Sequence, residues 1–148
     1  MELLINDAIR APHAFCWFGA IPPAELDAWI QRSQALLAND LLDFWRMTGG
    51  GDLFESETIL RPTVESLPNA CFVSGDDTDS VNSTQRERGM PKHLFVFQIG
   101  VFFSAVDMRY HKYVTLSESY VPQAQFNSLE QWYRGTLRAE FGSTYGLK

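Results

Sequence analysis

A chain of 148 residues, 45% hydrophobic and 14% aromatic, has room for one domain, and a domain of this length buries roughly 70% of the surface its unfolded form exposes. A net charge of −6 disfavours nucleic acid and anionic membranes as partners, since both would repel it. Charged and polar residues interrupt every hydrophobic run before the roughly 18 residues a membrane-spanning helix needs; the opening MELLINDAIR starts with an acid and has an apolar run too short for a secretory signal, so the expected location is the cytoplasm.

In chain order, helix signals come first. After Ile21-Pro22-Pro23, where proline suits a helix start, Leu26, Trp29 and Ile30 recur at helical spacing, which predicts a helix from Pro23 to about Arg32. A second helix is predicted from Asp40 to about Thr48, capped by Asn39 or Asp40, with Leu37, Leu41, Phe44 and Trp45 as its apolar stripe. The run LFVFQIGVFFSAVDMRYHKYVTLS from Leu94 to Ser117 is rich in Phe, Val and Tyr and is broken near Gly100 and Arg109, as three antiparallel strands joined by tight turns would be. Near the end, Ser128 with Gln131 fits a capping box, and Leu129, Trp132, Tyr133, Leu137 and Phe141 share one face of a helix that stops at Gly142. The expectation is a single α+β domain over residues 1–148, an antiparallel sheet with flanking helices and a core holding Trp29, Trp45, Phe95, Phe97 and Trp132. Residues Arg61 to Pro91 carry little pattern. They admit a short strand at Ala70 to Ser74 within a long loop, and loops of that length are more often functional or mobile than ordinary.

Gly49-Gly50-Gly51 follows the second helix, so the order is helix, glycines, strand. A phosphate-binding loop needs the reverse order, and Asp52, Glu55 and Glu57 would repel a phosphate. The glycines are therefore read as a backbone turn in which one adopts a left-handed conformation, and changing it to alanine is expected to cost about 1 kcal/mol. Cys16 and Cys71 read as two reduced thiols packed as small hydrophobes, with a disulfide less favoured. His13 and Cys16 have ligand-like spacing that Cys71 and His93 could complete, yet the pattern lacks its matching second pair, so no metal is assigned. The three histidines fall in no nucleophile motif. Counted from Asp77, a calcium loop would place Asn82 where glycine belongs and Arg88 at its last ligand position, which leaves a solvated acidic turn.

Five stretches together resemble the SUKH superfamily, the fold of bacterial toxin-immunity proteins and of fungal cell-wall regulators of the Smi and Knr type: IPPAELDAWI, LANDLLDFWRMTGGGDLFESETIL, GDDTDS, LFVFQIGVFFSAVDMRYHKYVTL and FNSLEQWY. The similarity runs from about Phe15 to the C-terminal helix. It departs from the family pattern in the aromatic stretch before Gly19 and in the connection from Arg61 to Pro91. The resemblance implies a non-catalytic protein-binding domain without a cofactor. Its first expected role is an immunity protein that neutralises a toxin domain, often a nuclease; the alternative is a regulatory or scaffold module with an endogenous partner.

Charge distribution points to a partner independently. From Asp52 to Asp79 there are seven acids and one base, a local charge of −6 that equals the net charge of the whole chain. If those acids share a side, they attract a cationic protein, most simply a basic toxin domain. The predicted partner-binding residues are Asp52, Glu55, Glu57, Asp76, Asp77 and Asp79, with Trp17 and Phe18 as an aromatic anchor, and reversing Asp76, Asp77 and Asp79 to lysine is expected to leave the fold intact. Self-association into a homo-oligomer is compatible with this reading.

Overall fold

The computed structural model describes every residue from Met1 to Lys148. Strands β1 (Phe15–Trp17), β2 (Gly51–Leu53), β3 (Glu57–Ile59), β4 (Leu94–Ile99), β5 (Ser104–Asp107), β6 (Lys112–Leu116) and β7 (Pro122–Phe126) form one sheet in that order. Every neighbouring pair is antiparallel. Helices α1 (Glu2–Arg10), α2 (Pro23–Ser33), α3 (Asn39–Thr48), α5 (Leu129–Gly135) and α6 (Leu137–Phe141) supply the larger core on one face, and α4 (Thr78–Glu87) adds Val81 to a smaller cluster on the other. This is the α+β arrangement expected from the sequence.

Strand β4 explains the long apolar run. Phe95 and Phe97 enter the larger core while Leu94 and Val96 enter the smaller one with Leu60, Ala105 and Val114, and a strand buried on both faces reads as continuous hydrophobicity rather than alternation. All five expected core aromatics are buried. Trp29 meets Trp45 edge-on at 5.5 Å, and Phe97 meets Trp132 at 4.8 Å, contacts worth about 0.5–1.5 kcal/mol each beyond the area they bury. The indole N–H groups are satisfied, Trp45 donating to the Leu60 carbonyl at 2.9 Å and Trp132 to Ser104 Oγ at 3.0 Å.

Several expectations are corrected. The C-terminal helix is broken: Ser128 caps α5 by accepting from the Gln131 N–H at 3.1 Å, but the backbone leaves helical geometry at Thr136 before α6 begins. Residues 70–74 form turns rather than a strand. Helices α1 and α4 have no counterpart among the predicted elements. The two edges of the sheet are both protected, as exposed edges must be to avoid pairing with other chains. At β1, Asn69 covers the edge, its N–H donating to the Phe18 carbonyl at 2.7 Å and its Nδ2 to the Trp17 carbonyl at 3.0 Å. At the far edge, β7 opens with Pro122, which has no N–H, and its register with β6 shifts at Thr115–Leu116.

Candidate functional site

The glycines act on the backbone. Gly49, at φ +70°, closes α3 with its N–H bonded to the Trp45 carbonyl at 2.9 Å. The chain then turns so that Phe18 N–H reaches the Gly50 carbonyl and Gly19 N–H the Thr48 carbonyl, each at 2.9 Å. Helix α3 thus delivers β2 against β1, and Cys16 pairs in register with Asp52.

That register places Cys16 beside the connection that leaves β3. The connection is pinned at both ends and in the middle. Arg61 N–H donates to the Asp76 carbonyl at 3.1 Å, and Thr78 N–H to the Arg61 carbonyl at 2.9 Å. The buried Arg61 guanidinium donates to the Gly19 carbonyl at 2.7 Å and to Ser66 Oγ at 3.0 Å; burial lowers its pKa, against the opposing charge of Glu25. In the middle, Cys71 is joined to Cys16 by a disulfide, with Cα atoms 6.5 Å apart. This overturns the expectation of two reduced thiols, because 55 residues of separation along the chain say nothing about distance once the connection folds back over β1. Cys16, Cys71, His13 and His93 do not assemble a metal site, and no group of three or more such ligands occurs anywhere in the chain.

The predicted acids separate into different roles. Asp52, Asp76 and Asp77 come together: burial raises the Asp76 pKa, and the charges of Asp52 and Asp77 raise it further. Asp76 therefore takes up a proton at a higher pH than an exposed aspartate does. Asp77 also caps α4, accepting from the Ser80 N–H at 3.0 Å and from Thr63 Oγ1 at 2.7 Å; burial pushes its pKa up, but these hydrogen bonds outweigh it and the net shift is downward. Asp79 turns toward α2, where Trp29 Nε1 donates to it at 3.2 Å and Arg32 lies 3.9 Å away. Glu55 sits with Phe54 at the β2–β3 turn, both at positive φ, close enough to Tyr145 to raise the phenol's pKa, after burial, by its charge and a hydrogen bond.

Two predicted residues are corrected outright. Glu57 is 1% exposed and spends its carboxylate internally, accepting from Val101 N–H at 2.8 Å, Phe102 N–H at 2.9 Å and Gln98 Nε2 at 3.3 Å. Phe18 is fully buried and meets Phe72 edge-on at 5.1 Å. Trp17 is half-buried, its ring perpendicular to Phe44 at 5.6 Å. Neither aromatic is a free anchor. The pinned connection carries two exposed apolar side chains, Leu67 at 93% and Val73 at 61%, and Leu67 is the most exposed large hydrophobic of the chain; the others, such as Ile9 and Val101, are scattered over other elements. The signal for Leu67 and Val73 was the apolar pair in SLPNACFV set inside a polar segment.

An open groove of about 1280 Å³ between α4 and the β4–β5 and β6–β7 turns has an apolar lining of Val81, Ile99, Phe103, Leu116 and Tyr120 together with Arg88, and none of the predicted residues lines it. No helix is long and apolar enough to cross a membrane. In comparison with known proteins, the chain matches no family model and no curated sequence.

Proposed function

We propose that the chain is a non-catalytic protein-binding domain of SUKH type, acting in the cytoplasm as an immunity protein that occupies and neutralises a basic toxin domain. The observation that carries this reading is the connection from 61 to 77, where exposed Leu67 and Val73 share a pinned segment with Asp76 and Asp77, next to Asp52. An apolar centre with a charged rim is the anatomy of a protein interface: the apolar groups anchor, and the charges steer encounter. The loop is held before any partner arrives, which lowers the ordering cost of binding.

The test is the association of the chain with the protein that co-purifies with it from its native cell. Leu67→Ala is expected to weaken binding through faster dissociation by about 1–2 kcal/mol. Asp76→Lys is expected to slow association about tenfold at low salt, with the difference shrinking as salt rises. Neither residue makes a side-chain hydrogen bond, so both variants should stay folded. The lysine triple reversal suggested by sequence would not be a clean test, because Asp77 is the α4 cap, whose loss costs about 0.5–2 kcal/mol, and Asp79 holds Trp29. Rates equal for wild type and both variants would remove this surface from the interface.

A further inference from the structure

The disulfide joins the edge strand β1 to the middle of the proposed binding loop. We propose that it is a reversible latch, whose reduction frees residues 67–75 from β1 and dissolves the pre-formed binding surface. The release follows from the geometry of the loop; its consequence for binding rests on the reading of that surface given above.

The non-covalent ties of this segment to β1 and its flank are few. They are the two hydrogen bonds made by Asn69 and the contact of Phe72 with Phe18. Leu67, Asn69, Ala70, Val73, Ser74 and Gly75 are all exposed, and a segment with little buried apolar area opens locally at low cost. Beyond it, both ends stay anchored through Arg61, Asp76 and Thr78. The two core clusters draw nothing from residues 67–75. Breaking the bond therefore releases the loop without unfolding the domain. On the cytoplasmic placement proposed above, the cross-link also fits a switch, since disulfides that do form there are usually transient and redox-sensing.

Cys16 is exposed and Cys71 half-buried, so a dithiol reductant can reach the bond. One thiolate of the reductant attacks a protein sulfur, forming a mixed disulfide and releasing the other cysteine as a thiolate, which takes a proton. The second thiol of the reductant resolves the mixed disulfide. The protein gains two electrons and two protons, and the dithiol leaves as its own disulfide.

The experiment compares the oxidised chain, the chain reduced with dithiothreitol, and the Cys16→Ser/Cys71→Ser variant by hydrogen exchange, with a twenty-residue arginine-rich peptide as binding probe. Should the variant fail to fold, the reduced wild-type chain carries the comparison. The amides of Asn69 and Phe72, the two in 67–75 that donate hydrogen bonds, should exchange at least about tenfold faster after reduction while those of β4 to β6 keep their protection, and peptide affinity should fall several-fold on reduction and in Asp76→Lys. Unchanged exchange at these two amides, loss of protection in β4 to β6 along with the loop, or a bond that resists dithiothreitol in the folded chain would each overturn the latch. Loop opening without any binding that depends on Asp76 would uphold the latch and remove the partner reading instead.

Discussion

Gly49→Ala should destabilise the domain by about 3 kcal/mol or more, well beyond the roughly 1 kcal/mol expected for a glycine that only stops a helix. The left-handed backbone costs an alanine about 1–2 kcal/mol, and Gly49 adopts it with φ +70°. The larger part is steric. A Cβ at Gly49 would lie 1.9 Å from the Gly19 carbonyl oxygen and 2.2 Å from Arg61 Nη1. Since backbone yields little, the chain leaving β1 at Gly19 must shift, which adds about 1–3 kcal/mol as overpacking does elsewhere. Moving the Gly19 carbonyl also takes a hydrogen bond from the buried Arg61 guanidinium. In a chain of this size the loss corresponds to a fall in Tm of about 10 °C. Gly146→Ala is the control, because Gly146 has φ +76° and open space around it, so it carries the conformational cost alone. Equal losses in the two variants, measured by denaturant melts, would show that the crowding around Gly49 contributes nothing.

The contrast between the two glycines shows which parts of the molecule can be read from sequence. That a helix ends at Gly49 follows from local order, helix before glycine before strand. That β1 crosses within contact distance of the turn depends on residues thirty positions away, and no local pattern carries it. The same division separates the elements. Helix α2 and the start of α5 were legible because each combines a proline or a cap with an apolar stripe wide enough to face a core; α3 was legible from its stripe, since Ala38 precedes it and the expected cap by Asn39 or Asp40 does not form. The β2–β3 hairpin was not, since its turn puts Phe54 and Glu55, rather than glycine or asparagine, at positive φ. Phe54 tolerates the strain because its ring is buried against Phe15, Tyr133, Phe141 and Tyr145.

The candidate site was legible in charge and illegible in use. Counting acids finds a segment with an excess of them, and three of those, Asp52, Asp76 and Asp77, do gather. Counting cannot tell that Glu57 faces inward to two backbone amides, or that Asp79 serves Trp29. A carboxylate buried against N–H donors and one exposed to solvent look the same in a sequence. The disulfide was hidden for a related reason: each cysteine sits in a neighbourhood typical of a packed thiol, and only the return of the loop over β1 brings them together.

Helix α4 is the element least visible in the sequence, and one side chain explains why it forms: Asn82→Ala should cost about 3 kcal/mol. The segment TDSVNSTQRE offers a single apolar residue, Val81, too little for a stripe. Its place in the fold follows from a gap in the sheet. Strand β3 pairs with β4 only as far as Thr58–Ile99 and Ile59–Gln98, continued by the Leu60 N–H to the Phe97 carbonyl at 2.8 Å. Beyond that point the chain departs toward Arg61, leaving the main-chain groups of Val96 without a strand partner on that side. Asn82 supplies one. Its Oδ1 accepts from the Val96 N–H at 2.8 Å, and its Nδ2 donates to the Val96 carbonyl at 2.9 Å. Arg86 continues the same role with the Leu94 carbonyl at 3.0 Å. Alanine at 82 would leave a buried donor and a buried acceptor unpaired, each costing about 1–3 kcal/mol. Asn82→Asp should be at least as harmful, because it keeps an acceptor for the N–H but turns a carboxylate toward the Val96 carbonyl. The amide of Val96 should lose its hydrogen-exchange protection in both variants, and the denaturation midpoint should fall with it. A midpoint within about 0.5 kcal/mol of wild type, the range of ordinary surface changes, would mean that another group or water takes over at Val96 and that the other ties of α4, among them Val81, Arg86 and the Asp79–Trp29 hydrogen bond, hold it without Asn82.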